Sequence, residues 1–301
     1  MVSEDAFKKL KEENRIWFGK EGNNVPSLKK YLSEVKKGVT PLTIWKRKEV
    51  GDNQEARRVI RALFDDISYF DTPKAIGLIK RIAVLSTKEN DIILDFFSGS
   101  ATTAHAVMQL NAEDGDNRKY IMVQLPEPCP EDSEAYKAGY QNISEIGKER
   151  IRRAGQKIKE ESGAEIDYGF RVFKVDSSNM KEVYYRPEEL TQQQILETIS
   201  NIKKDRTAED LLFQVMLDWG LGLSLPVETK EIQGKDVHFV AGNSLVACFE
   251  EDVSEELVKE IAGVKPLRAV FRDSSFASDA ERINLEEIFK MLSSGTEIKV
   301  I

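Results

Sequence analysis

The chain has 301 residues, 41% of them hydrophobic and 32% charged, which is the balance of a globular protein of about two domains and not of a disordered tail. Its longest apolar runs fall far short of the roughly 18 residues of a membrane span, and two isolated cysteines and two histidines argue against a disulfide framework, a zinc site, a histidine metal centre or a histidine-based triad, placing the chain in a reducing cytoplasm. The net charge of −8 is unevenly spread: residues 1–60 carry 14 Lys and Arg against 9 Asp and Glu, whereas residues 177–301 carry 14 against 23, so a basic end suited to phosphates faces an acidic end that is not.

Residues 1–60 look incomplete as a domain. Arg15–Gly19 reads as a short strand, Lys20–Asn24 as a turn, and Pro26 as the start of a helix through Leu28, Tyr31, Leu32 and Val35. Thr43–Trp45 reads as a second strand before Lys46-Arg47-Lys48. Aromatics interleaved with Lys and Arg suit phosphate contact, although a solvated helix face with core tryptophans explains the same composition. In FDTPKAIGLIKRIAVLST, residues 70–87, Thr72 can cap a helix with Pro73 at its first position and Lys74 in its first turn, where a cation opposes the dipole.

Asp91–Val107, DIILDFFSGSATTAHAV, organises the rest. Ile92–Phe97 reads as a strand buried on both faces, with Asp95 near its end. The small residues Ser98, Gly99, Ser100 and Ala101 form a turn, and Thr102-Thr103 opens a helix. Strand, tight turn and helix start form the layout of a nucleotide-type site in an open α/β sheet, where free N–H groups favour an anion such as a carboxylate. Neither G-x-G-x-x-G nor the P-loop pattern is present, which leaves little for a nicotinamide dehydrogenase. An isolated Phe97 is expected in the core. Ala101 costs roughly 1–2 kcal/mol if its φ is positive and nothing if it is negative. Tyr120–Leu125 is the next strand, whose end belongs beside the turn.

Ile143, Ile146, Ile151, Ala154 and Ile158 recur at helical spacing within residues 142–161, with Lys148, Arg150, Arg152, Arg153, Lys157 and Lys159 on the other faces, either solvated or against a DNA backbone. Tyr168–Val175 alternates like a strand. After a linker at Ser177–Asn179, helices are expected at Pro187–Lys204, Ala208–Trp219, Ser254–Ala262 and Asn284–Leu292. Strands are expected at Val227–Ile232, Val237–Ala241, Ser244–Phe249, Leu267–Phe271 and Glu297–Ile301, with turns at Gln233-Gly234 and Gly242-Asn243. Arg272-Asp273-Ser274 reads as a polar strand end with a salt bridge.

The turn resembles the cofactor loop of the amino-methyltransferases acting on DNA, D-x-F-x-G-S-G-T-T: Asp95, Phe97, Gly99, Ser100, Thr102 and Thr103 fit, and Ala101 stands where that family usually has glycine. Thr72, Pro73 and Lys74 match its T-P-K-P element, with Ala75 in place of the second proline. WFGKEGNNVPSLKKYLSEVKKGVTPLTIW, the 142–175 block and the acidic end look like type III restriction–modification methyltransferase subunits, in family order across nearly the whole chain. The resemblance implies an incomplete Rossmann-like sheet that binds S-adenosyl-L-methionine, plus a smaller C-terminal α/β domain that joins subunits. It divides the chain into the end of a target-recognition region (1–60), a cofactor-binding part (61–176) and an assembly domain (177–301).

On that resemblance Thr72, Lys74, Asp95, Phe97, Ser98, Gly99, Ser100, Thr102 and Thr103 line the cofactor site, with Lys74 on the methionine carboxylate. Gln124 holds the ribose by alignment, or Glu127 by chemistry. The implied reaction is methyl transfer to adenine N6 in duplex DNA, without a metal, in partnership with a restriction subunit and as a homodimer in the full-length protein. An exocyclic amine needs an acceptor for its hydrogens and an aromatic face for the flipped base, which [DNS]-P-P-[YFW] supplies in this family. No Pro-Pro occurs in the chain. The expectation is therefore a C-terminal half that binds cofactor without the catalytic tetrapeptide and is inactive alone. The alternative is a non-catalytic assembly or DNA-interaction module derived from such a subunit.

Overall fold

The computed structural model describes residues 3–35, 38, 40–181, 201–276 and 278–301. The chain forms two compact units, Met1–Gly169 and Phe170–Ile301. Among the described residues no helix is long and apolar enough to cross a membrane.

The first unit opens with α1 (Glu4–Glu12), capped by Ser3. A hairpin follows, in which β1 (Ile16–Trp17) pairs antiparallel with β2 (Ser27–Leu28). The helix expected from Pro26 is thus replaced by a strand and a 3₁₀ turn at Leu32–Glu34. Contacts back to the first strand win over helix propensity: Arg15 pairs with Glu34 and stacks on Tyr31, and Lys29 lies over the Trp17 ring. Thr43–Trp45 is a bend rather than a strand, with the Trp45 indole N–H donating to the Leu42 carbonyl at 2.8 Å. Then come α2 (Arg47–Val50) and α3 (Asn53–Leu63), the latter capped by Asp52 and buried through Ala56, Ile60 and Leu63.

α4 runs over Ile76–Ser86 with Ala75 at its N-cap, so Thr72 does not cap it and Lys74 precedes it. Near this start α4 lies close on the end of α2: a Cβ at Gly77 would stand 3.0 Å from the Val50 carbonyl oxygen.

β3 (Ile92–Asp95), α5 (Thr102–Asp114) and β4 (Lys119–Met122) form a βαβ unit, the two strands parallel. Among the described residues they pair only with each other. Successive strand residues point to opposite faces. Asp95 bonds to Thr103, so the face with Ile93, Asp95, Tyr120 and Met122 looks toward α5. The opposite face is bare. Ile92, Leu94, Phe96 and Ile121 are 60%, 59%, 62% and 50% exposed, which corrects the expectation of a strand buried on both sides. α6 (Glu134–Lys137) is a single turn. α7 (Ile143–Ser162) is capped by Asn142, as its periodicity predicts, and packs on α5 and α3. Tyr168–Val175 forms no strand, and Val175 is fully exposed.

The second unit is built on a five-stranded sheet ordered β5 (Val227–Ile232), β6 (Lys235–Val240), β7 (Leu245–Cys248), β8 (Arg268–Phe271), β9 (Glu297–Val300). The first three are antiparallel and the last three parallel. The β5–β6 turn has φ +51° at Gln233 and +75° at Gly234, the two positive values that twist a hairpin correctly. One face packs on α8 (Ala208–Asp218) through Leu211, Leu212, Val215 and Met216. The other packs on α9 (Glu255–Gly263) and α10 (Asp279–Leu292) through Leu257, Ile261, Leu285 and Phe289. α10 begins five residues before the expected Asn284, capped by Ser278. The expected helix at Pro187–Lys204 falls outside the described residues up to 200. Asn201–Lys204 are not helical, and Ile202 forms a bridge with Met180. Asp273 does make a salt bridge, at 3.0 Å to Arg282, while Arg272 donates to the Phe249 carbonyl.

Candidate functional site

The carboxyl ends of two parallel strands converge on the Ser98–Thr103 turn. The Ser98 N–H donates to the Val123 carbonyl beyond β4 at 3.1 Å, and the Ala101 N–H closes the turn on the Ser98 carbonyl at 2.8 Å. Gly99 has φ +52°, and a Cβ there would sit 3.2 Å from the tip of the Phe70 ring. Ala101 is left-handed at φ +57°, ψ +40°, so the residue in the family's glycine position carries the strain that its sequence raises as a question.

The turn's side chains are spoken for. Asp95 Oδ2 accepts from Thr103 Oγ1 at 2.5 Å, tying the strand end to the helix start. Gln124 Oε1 accepts from the Gly99 N–H at 2.7 Å, and its amide donates to the Leu125 carbonyl. Ser100, Thr102 and Thr103 are buried. No side chain caps α5, and its first turn carries no acid. The turn therefore offers a ligand backbone N–H groups and the positive end of a helix, while the hydroxyls of Ser100, Thr102 and Thr103 are engaged within the protein.

Beneath it lies Arg150 of α7, fully buried. Its Nη1 donates to Ser100 Oγ at 2.9 Å, Thr102 Oγ1 at 2.8 Å and the Ser100 carbonyl at 3.3 Å. Its Nε and Nη2 have no partner among the described residues. Burial lowers its pKa to about 10, which leaves it charged at neutral pH. This corrects its place among the solvated or DNA-facing cations of the helix. Arg153 bonds across to the Leu63 carbonyl and Asp65 as well as to Glu149, whereas Lys148 and Arg152 pair within the helix, with Glu145 and Glu149. Gly147 lets α7 approach the turn: a Cβ there would stand 3.3 Å from the Gly99 carbonyl oxygen.

Other expected site residues sit around this core. Phe97 is 73% exposed, edge-on to Phe96 at 5.2 Å between centroids, so it is not in the core. Glu127 is exposed. Its backbone is fixed by bonds to Leu125 and Ile143, and its carboxylate is unpartnered among the described residues. Thr72 and Lys74 are exposed, and no hydrogen bond or ion pair joins them to the turn among the described residues; Phe70 is the part of that segment that reaches Gly99. The sequence reading passes over Phe70 and Gly147 as site residues and puts Arg150 on an outer face of its helix. For Arg150 a signal exists: it lies four residues from both Ile146 and Ala154, inside the apolar stripe.

On the helical side, a cleft of about 300 Å³ opens between α3, α4, α5 and α7. His105 borders it, neutral because desolvation and then the nearby Arg150 charge push its pKa down to about 3.

Comparison with known proteins follows the same landmarks. The DNA methylase family profile for N6 and N4 amino-methyltransferases matches residues 3–154. The chain is similar to the type III restriction-modification enzyme EcoP15I Mod subunit of Escherichia coli, 28% identical over 98% of this chain and 44% of that protein. The StyLTI Mod subunit of Salmonella typhimurium is 38% identical over 57% of this chain and 26% of its own length. The EcoPI Mod subunit of Escherichia phage P1 is 27% identical over 86% and 40%. The chain spans less than half the length of these relatives.

Proposed function

As the chain belongs to the N6/N4 DNA methylase family, we propose that it is the S-adenosyl-L-methionine-binding portion of a DNA adenine-N6 methyltransferase of a type III restriction–modification system. The observation that carries the reading is the Ser98–Thr103 turn: an uncapped helix start at the ends of parallel strands, held from below by a buried cation. Those residues fit the cofactor. The orphaned nitrogens of Arg150 supply positive charge behind the α5 N–H groups, which suits a carboxylate. The exposed Phe97 ring offers an apolar wall.

In this reading the backbone of Thr102 and Thr103 holds the methionine carboxylate, with Lys74 reaching toward it. Asp95 and Gln124 fix the turn from either strand end, with Ser98, Gly99 and Ser100 lining it. Because the Gln124 oxygen is committed to Gly99, the free carboxylate of Glu127 takes the ribose. Thr72 closes the rim. When bound, the cofactor supplies an electrophilic sulfonium methyl for direct displacement by the adenine amine. This chain's part is to orient it.

The bare face of β3 and β4, with its free edges, supports a Rossmann-like sheet continued by another segment carrying the [DNS]-P-P-[YFW] strand. Duplex DNA is then the substrate, the second unit joins subunits in a homodimer, and a restriction subunit is the partner. Calorimetric titration with S-adenosyl-L-methionine tests this, on the chain alone and after mixing with a separately expressed segment bearing the tetrapeptide. We expect weak or no binding alone, and binding with methyl transfer to DNA after mixing. Full activity of the chain by itself would overturn the need for completion. Assembly without cofactor binding would instead favour the non-catalytic module.

A further inference from the structure

Arg150 is a fully buried guanidinium with two nitrogens unpartnered and no carboxylate beside it among the described residues. A buried charge is normally paired. If the site needed only donors to Ser100 and Thr102, a neutral amide would serve and would avoid the desolvation. The start of α5 has no capping side chain and no acid in its first turn, a lack it shares with α4, whereas α1, α3 and α7 have both. Cation and helix start thus meet at Ser100–Thr102, both lacking a negative partner among the described residues.

We propose that Arg150 is a positioning residue whose uncompensated charge, clamped under Ser100 and Thr102, makes the start of α5 discriminate among adenosine ligands by their carboxylate tail. This rests on the cofactor reading given above. The guanidinium never leaves its place under the turn. It holds the left-handed Ala101 conformation by bonding on both sides of it, and its field adds to that of the helix where the tail lies. The low dielectric around it leaves that field little screened.

The test uses the chain assembled with the tetrapeptide-bearing segment. Calorimetry compares S-adenosylhomocysteine, which has the amino-acid tail, with 5′-methylthioadenosine, which lacks it. Arg150→Gln is expected to weaken the first about tenfold and leave the second within about twofold. Arg150→Lys should keep the preference near pH 7 and lose it toward about pH 9, because a buried ammonium gives up its proton where a guanidinium does not. Wild type serves as the control for titration of the ligand's own amine. His105, the titratable neighbour, has a pKa of about 3 and stays neutral throughout. Equal weakening of both ligands in Arg150→Gln, or no weakening, would overturn the proposal. If that variant does not fold, the pH profile of Arg150→Lys decides, and a profile parallel to wild type overturns it. Wild type that binds neither nucleoside overturns the cofactor reading itself.

Discussion

The sheets of the two units carry similarly apolar strands and differ in what covers them. In the second unit, Val246, Cys248, Ala269 and Phe271 turn to one helical layer, and Leu245, Ala247 and Val270 turn to the other; all are buried. In the first unit, Ile93 and Tyr120 face α5 while Ile92, Leu94 and Ile121 are largely exposed, with no layer over them among the described residues. A closed sheet stabilises its own unit. An open apolar one stores the same driving force for whatever completes it.

The contrast can be broken by mutation. Phe271→Ala should destabilise the second unit by about 3–5 kcal/mol, as for an aromatic lost from a packed core. Leu94→Ala should cost the chain alone less than about 1 kcal/mol, since its side chain is already mostly in water, yet weaken association with the completing segment. Urea unfolding followed by hydrogen exchange separates the units. A loss at Leu94 as large as that at Phe271 would mean the face is covered.

The two histidines sharpen the comparison. His238 in the second unit shares a 2.9 Å hydrogen bond with Thr229, whereas His105 Nδ1 has no partner among the described residues. Burial holds His105 near pKa 3, against about 6.5 when unfolded, so the unfolded state binds the extra proton between these values. Stability of the first unit therefore falls as pH drops below about 6.5, by about 2 kcal/mol at pH 5. His105→Gln should flatten that slope in the first unit's exchange protection; an unchanged slope would remove His105 as its cause. The smallest effect is expected at Ala101. Its positive φ should make Ala101→Gly stabilising by up to about 1 kcal/mol in thermal unfolding, and a destabilised variant would mean that the methyl's packing outweighs the strain.

How much was legible follows from what each signal measures. The α7 stripe, the Ser254 cap and the Gln233-Gly234 turn act over a few residues, and the structure has them where the sequence puts them. The Pro26 helix and the Tyr168–Val175 strand rested on equally local patterns and are absent. In the first case, contacts from Arg15 and Trp17 to residues ten or more positions away outweigh propensity. At the site, the Asp95–Thr103 motif is visible in one line of sequence, whereas Arg150 lies some fifty residues away and reads as surface charge.

The sequence by itself determined which segments are apolar enough to demand burial, and which short run has the small residues of a strand-to-helix turn, because composition and spacing act locally. Only the tertiary structure decided that one face of Ile92–Phe97 goes uncovered among the described residues, that Gln124 faces the turn's backbone, and that a cation from α7 ends up beneath it. Those outcomes depend on which distant surfaces meet, and no local pattern of residues encodes that.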